Sequence, residues 1–195
     1  MSRFSFYKAP VRNVVPACTA DLCEIHRLIT GDAYRPATEE LRRLCSRMQQ
    51  GTLTRRDIQA YKATHFDYVT FSGTFSRRHA QVLHAQALQA HSGLLTLDFD
   101  HVETWHGQDR LRGVYGLRYA LLRDAAVTTA LLFRSPSGDG LKWVVPIDLA
   151  QGTHENWFRV LSYYTEITYG IVPDSSGSDV ARACYLPWDP DAVLV

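Results

Sequence analysis

The sequence predicts an α+β fold: a ferredoxin/RRM-like β-α-β-β-α-β core preceded by a mainly helical (α/β) extension. Three observations predict it. Leu94-Leu95-Thr96-Leu97-Asp98-Phe99-Asp100 reads as a buried strand. Two further apolar strands, about 127–133 and 141–147, flank the turn Ser135-Pro136-Ser137-Gly138-Asp139-Gly140. Amphipathic helical patterns precede and follow that strand pair, which gives the split βαβ order. The division expected is a basic helical extension over 1–65 and a core over 66–195.

Each element has its own warrant. Thr38 with Glu39 and Glu40 makes a helix start, Leu41, Leu44, Cys45 and Met48 share a face, and Gly51 ends the run. A second short helix is expected from Thr54 with Ile58 and Tyr61 inward. Arg42, Arg43, Arg47, Arg55 and Arg56 decorate this pair, either as a solvated face or as a contact surface for a phosphate backbone. Phe66 to Phe71 is aromatic and β-branched, hence a strand, and Ser72 to Arg78 reads as a loop leading to a helix through Leu83 and Leu88. After the Asp98 strand, a helix carries Leu111, Val114, Tyr115, Leu121 and Leu122. The last helix, about 154–169, aligns Trp157, Leu161, Tyr164 and Thr168 and stops at Gly170, and a short strand follows at Cys184-Tyr185-Leu186.

Bulk properties narrow the class. The 195 residues suffice for one sizeable core. With 21 Lys and Arg against 20 acids, the net charge of +1 argues against coating nucleic acid by charge alone. No signal-type segment or bilayer-length apolar run is present, so no membrane partner and a cytoplasmic location are expected. Cys18, Cys23, Cys45 and Cys184 are too sparse for a disulfide scaffold, and with His26 they match no common zinc spacing.

The chemistry lies in three polar clusters. Side chains alternate along a strand, so Asp98 and Asp100 point the same way, and two adjacent carboxylates repel unless a cation compensates them. Mg²⁺ or Mn²⁺, with their preference for oxygen, is the simplest compensation, against the plain alternative of two acids at a strand exit. With the first core strand central, its exit should lie beside Lys142 and beside Ser178-Asp179-Val180-Ala181-Arg182. Asp179 then completes an acidic trio with Asp98 and Asp100. Ser135, Ser137, Gly138 and Gly140 offer a small-residue turn fit for phosphate, with Lys142 and Arg182 as cations.

On these residues the chain resembles a known group. Leu97-Asp98-Phe99-Asp100 looks like the hDhD motif of the archaeo-eukaryotic primase superfamily, Ser137 to Lys142 resembles its second motif, and Ser178-Asp179 its third. Phe71-Ser72-Gly73-Thr74-Phe75, Ser92-Gly93, Asp179-Val180-Ala181-Arg182 and Tyr185 to Pro190 extend the resemblance, over roughly 35–195, toward the virulence-associated E amino-terminal domain and its primase-like relatives. The resemblance implies a primase-type core and metal-dependent nucleotide transfer on a nucleic-acid template, in replication of a plasmid or mobile element. It implies Asp98, Asp100 and Asp179 as ligands of Mg²⁺ or Mn²⁺, and Ser135, Ser137, Gly138, Gly140, Lys142 and Arg182 around nucleotide phosphates. Single-stranded DNA or a primer–template, nucleoside triphosphates and a helicase or ATPase are the implied partners; this chain carries no phosphate-binding motor loop of its own. Active primases place His where this chain has Lys142, which implies altered or lost catalysis, because Lys holds phosphate as a cation but is no proton shuttle near neutrality.

Other readings remain open from sequence. A catalytically impaired module could hold single-stranded DNA by stacking on Tyr68, Phe71, Phe75 and Trp143. Tyr163-Tyr164 fits a rolling-circle nuclease, which wants His-x-His where this strand has Asp-x-Asp. An Asp-x-Asp sugar-nucleotide transferase wants a larger nucleotide-binding half.

Overall fold

The computed structural model describes residues 2–78, 87–107 and 110–195. Within them the chain is mixed α and β, with two four-stranded antiparallel sheets packed face to face. The first sheet has the order β2-β1-β3-β9, built from β1 (Phe4–Tyr7), β2 (Cys18–Ala20), β3 (Tyr68–Thr70) and β9 (Cys184–Tyr185). The second has the order β10-β7-β8-β6, from β6 (Leu94–Phe99), β7 (Leu131–Arg134), β8 (Leu141–Pro146) and β10 (Val193–Leu194). A hairpin of β4 (Gly73–Phe75) and β5 (Leu88–His91) sits beside them.

The alternation of β6 and β8 explains the layers. Leu95, Leu97 and Phe99 of β6 and Leu141, Trp143 and Val145 of β8 are buried against α4 (Gly113–Leu122) and α5 (His154–Tyr169). Leu94 of β6, Leu131 and Phe133 of β7 and Val144 of β8 face the other way and interdigitate with Phe4, Phe6, Val69 and Phe71 of the first sheet. Each such large side chain contributes about 1.5–3 kcal/mol when fully buried, so the inter-sheet layer is a principal source of stability. Asp98 and Lys142 lie on this same inter-sheet side, at the end where the layer opens to solvent.

The helices begin and end where the local chemistry dictates. Asp21 and Glu24 form a reciprocal capping box that starts α1 (Leu22–Thr30), and its Ile25 and Ile29 enter the inter-sheet core. The helix expected from Thr38 begins earlier: α2 is Arg35–Gln49 with Pro36 in its first turn, and Thr38 is buried, accepting the Trp188 N–H at 2.8 Å. Thr54 caps α3 (Arg55–His65) as read from sequence, through a box with Asp57, and Leu41, Ile58 and Phe66 pack together. Of α5, the bounds and the left-handed Gly170 stop agree with the sequence pattern, but the buried stripe is His154, Phe158, Leu161 and Thr165. Trp157 packs only partly and Tyr164 turns to Asp124 instead.

Four differences from the sequence reading matter. The 1–65 region is not only helical, because β1 pairs with both β2 and β3 and so forms part of the first sheet. Cys184 and Tyr185 pair with β3 in that sheet rather than beside the Asp98 strand. The second sheet is instead completed by β10 on the outer side of β7, which leaves β6 at an edge rather than central. The helix expected through Leu83 and Leu88 lies, at Leu83, outside the described residues, and at Leu88 the chain is strand.

The C-terminal segment is pinned by buried Asp189. Its Oδ2 accepts from Arg118 Nη2 at 2.5 Å and from the Arg134 N–H at 2.6 Å, and its own N–H donates to the Ile29 carbonyl. Among the described residues no helix is long and apolar enough to cross a membrane. Breaking a buried ion pair from one side strands the other charge, so Arg118→Leu should lower unfolding free energy by about 3–5 kcal/mol in urea titrations. A loss below about 1 kcal/mol would show that Asp189 is held by its backbone donors alone.

Candidate metal and phosphate site

Register creates the site. Antiparallel pairing of β6 with β8 puts Asp98 directly opposite Lys142, as the sequence reading required of these two clusters. Lys142 is 7 % exposed, and its ammonium makes a very short contact with Asp98 Oδ2. Burial by itself would depress the lysine, but the charge of Asp98, helped by Cys184 and Asp100 nearby, holds its pKa above the ordinary value. The buried thiol of Cys184 is pushed up to about 12, chiefly by burial.

The remaining Asp98 oxygen, Oδ1, is buried and has no hydrogen-bond partner among the described residues. Asp98, Asp100 and Asp174 each bring a carboxylate oxygen to within 4.8 Å of the others. Asp100, just past the strand end, has a raised pKa, first from desolvation and then from the charge of Asp98. For Asp174, burial is outweighed by hydrogen bonding from the Ser176 N–H and by Arg182 and Lys142, which leave it below the usual range. Its N–H donates to the Asp98 carbonyl at 2.8 Å, which fixes the 174–179 turn against the strand. An orphaned carboxylate oxygen among three oxygen donors fits a hard divalent ion such as Mg²⁺ or Mn²⁺.

Asp98 and Asp100 open into a cavity of about 250 Å³ whose walls also include Lys62, Arg78, Ser135, Lys142, Asp179 and Arg182. Six of the residues singled out from sequence therefore meet in one space. Asp179 is on its wall, with Oδ1 accepting the Ala181 N–H at 2.8 Å, while the acid grouped with Asp98 and Asp100 is Asp174. Sequence reasoning missed Asp174: it follows Pro173 in a turn rich in Ser and Gly, where an Asp reads as a turn former. Lys62 and Arg78 were missed too, since they reach the cavity from α3 and from the loop after β4.

The small-residue turn plays a different part from the one its composition suggests. The N–H of Gly138 donates to the Ser135 carbonyl and that of Gly140 to Ser135 Oγ, so both close the turn itself. Gly140 is required by space, because a Cβ there would lie 2.4 Å from the Phe99 carbonyl oxygen. Ser137 Oγ donates to Asp139 Oδ1 at 2.5 Å, and only the Ser135–Pro136 side of the turn faces the cavity. The four aromatics considered as stacking platforms are core residues: Tyr68 and Trp143 are 0 % exposed, Phe71 and Phe75 2 %. Tyr68 stacks on Tyr7 at 4.5 Å, and Trp143 Nε1 donates to Thr129 Oγ1.

A histidine pair supports the 174–179 turn. His91 Nδ1 accepts the Gly93 N–H at 3.0 Å, which leaves its Nε2–H to donate to His154 Nδ1 at 3.2 Å. His154 Nε2–H then donates to the Gly177 carbonyl at 3.1 Å, so both rings are held neutral in a defined order. Burial, with the neighbouring ring second, pushes His91 down to about 4.

A family model described as BT4734-like, N-terminal domain, matches residues 61–194, more than two thirds of the chain, and the chain belongs to that family. No curated protein and no solved structure matches.

A depressed histidine stabilises the fold fully above its ordinary value of 6.5, and that stability is lost as pH falls toward about 4. Urea midpoints should therefore fall between those limits in the wild type and much less in His91→Gln; equal acid slopes would refute the arrangement. A raised carboxylate has the opposite sign, favouring the fold only while protonated. Asp100→Asn should accordingly melt at a higher temperature than wild type at pH 7 in EDTA, and Mg²⁺ or Mn²⁺ should raise the wild-type melting temperature more than the variant's.

Proposed function

We propose that this domain is a metal-dependent nucleotidyltransferase of primase/polymerase type, acting on a nucleic-acid template in replication of a plasmid or mobile element. The observation that carries the reading is the mixed charge of the cavity at the β6 exit: carboxylates from the strand end and cations from Lys62, Arg78, Lys142 and Arg182 around it. A nucleoside triphosphate bound with a divalent ion needs both, oxygen ligands for the ion and cations for its phosphates.

In this reading Asp98, Asp100 and Asp174 hold Mg²⁺ or Mn²⁺, with Asp179 on the adjacent wall. The ion, when bound, lowers the pKa of a primer 3′-hydroxyl and offsets charge on the departing pyrophosphate. Arg182, already 3.2 Å from Asp174, and Lys142 place fixed positive charge beside the phosphates. The turn at 135–140 shapes the cavity wall through Ser135 and leaves phosphate binding to side chains. The primase-type core, a cytoplasmic setting and a helicase or ATPase that unwinds the template belong to the same proposal.

The Lys142–Asp98 pair favours a second reading, binding of single-stranded DNA without transfer. An ammonium on one Asp98 oxygen competes with a metal for that carboxylate, and the buried lysine offers no proton near neutrality.

Nucleotide incorporation on primed and unprimed templates decides between the two. Expected is extension that requires Mg²⁺ or Mn²⁺, vanishes in Asp98→Ala plus Asp100→Ala, and needs about 10–100-fold more metal in Asp174→Asn. A folded wild type that binds DNA but extends nothing under either metal selects the second reading.

A further inference from the structure

The outer side of α5 carries a second apolar stripe, away from the acid cavity. Val160, Tyr163 and Ile167 are 58 %, 64 % and 64 % exposed. At i, i+3 and i+7 they share about 60° of the helix circumference over a length of about 10 Å. The stripe that packs on the second sheet, His154, Phe158, Leu161 and Thr165, lies nearly opposite. Tyr163 differs in this from its neighbour Tyr164, whose hydroxyl donates to Asp124 Oδ2 at 2.9 Å. Three large apolar side chains aligned on a helix already anchored by its other face mark a contact surface rather than scattered exposure.

The two flanks of the stripe differ. On one, Trp157 and Tyr164 fold back onto the domain, Trp157 Nε1 donating to the Asp148 carbonyl at 2.7 Å. On the other lie Glu155, Arg159 and Glu166, all exposed. Arg159 donates to Asn156 Oδ1 within its own helix, and among the described residues neither Arg159 nor Glu166 forms an ion pair. Arg159 and Glu166 stand equally far from the point midway between Ser162 and Tyr163. Turning a second helix about a two-fold axis through that point therefore brings Arg159 of each copy against Glu166 of the other, and sets Val160 between the other copy's Tyr163 and Ile167. Only the antiparallel arrangement does this, because a parallel pair lays the charged flank against Trp157 and Tyr164.

We propose that the chain forms a two-fold symmetric dimer by antiparallel packing of α5 on α5, with Val160, Tyr163 and Ile167 at its centre and two Arg159–Glu166 pairs along its edge. The self-complementary charges select a second copy as the occupant. A lipid surface or a nucleic acid favours Lys and Arg around an apolar stripe, whereas this flank holds two acids and one base. A contact centred on three such residues per copy is small beside the roughly 800 Å² per partner of stable complexes, so a dissociation constant of about 1–100 µM is expected. The acid cavity takes no part, and the dimer stands or falls independently of the nucleotidyltransferase reading.

Sedimentation velocity of the full chain over about 1–300 µM reads the dimer directly. Expected is a reversible monomer–dimer equilibrium that Tyr163→Ala plus Ile167→Ala, both at exposed positions, weakens about tenfold or more. Glu166→Arg and Arg159→Glu each set like charges opposite one another and should each weaken it about tenfold at low salt. The two exchanges together in one chain should restore it, with circular dichroism reporting an unchanged fold. Restoration is a result that a mere loss of helix stability would not give. A chain that stays monomeric throughout overturns the proposal, whether or not it co-sediments with phosphatidylcholine vesicles or captures a different protein. So does a dimer indifferent to the apolar substitutions, which must use another surface, and so does a dimer that the double exchange fails to restore.

Discussion

The ion pair between Lys142 and Asp98 is the constraint around which the site is arranged. A strand pointing Asp98 into the space between two sheets places a charge where the neighbouring positions on the same face are Thr96 and Leu94, and such a charge is tolerated only with a partner. Lys142 is that partner because β8 runs antiparallel to β6 in the one register that sets the two residues opposite each other. A slip of one residue would turn Lys142 toward α4 and α5 and bring Leu141 or Trp143 to the carboxylate instead. The hydrophobic pattern that buries Leu95, Leu97, Phe99, Trp143 and Val145 against those helices thus also fixes the polar pair on the opposite side.

One lysine does not neutralise the whole cluster. Asp100 and Asp174 crowd the same spot, and the effects on them diverge: Asp100 is driven toward its protonated form by desolvation and by Asp98, while Asp174 is held ionised by donors and by Arg182. That asymmetry follows from position. Asp100 sits at the strand exit with no hydrogen-bond donor among the described residues, whereas Asp174 is the N-cap of a one-turn helix, Ser175–Ser178, and accepts its Ser176 N–H. The residual strain falls on Asp100 and on the unpaired oxygen of Asp98, the two places where a divalent cation would relieve it most.

Much of this was legible in the sequence, for definite reasons. Two acids at alternate positions of an apolar strand, a lysine at the start of the next hairpin strand, and an Asp–Arg pair near the C-terminus have few ways to be arranged once the strands are antiparallel. Their meeting in one cavity follows from that. The illegible parts share a physical cause. β1, β2 and β10 are four, three and two residues long, too short for a period-2 pattern to stand out, so the two sheets they complete are hidden in the sequence and β6 reads as central. Asp174 and Asp179 flank the same Ser-rich turn, and composition alone ranks neither above the other. Aromatics of strands were weighed as stacking surfaces, yet Tyr68, Phe71, Phe75 and Trp143 are all buried; exposed rings lie on the solvent sides of helices, Tyr115 and Tyr119 on α4 and Tyr163 on α5, although the apolar stripe read from sequence includes Tyr115.

The 135–140 turn is the element through which these features become one device. It is rigid because Ser135 and Gly140 bond each other twice and Gly140 lies too close to Phe99 for any side chain. It is anchored because the Arg134 N–H is fixed by Asp189, and Asp189 by Arg118 from the middle of α4. The helix that presents Tyr115 and Tyr119 outward therefore grips, through its inward Arg118, the network that holds the arginine and the turn. Displacing α4 would disturb Arg134, the turn and Lys142 together, since Phe133 of β7 pairs with Lys142 of β8 next to the turn. The wall of the acid cavity is thus tied, through one continuous set of contacts, to a helix packed on the opposite face of the second sheet.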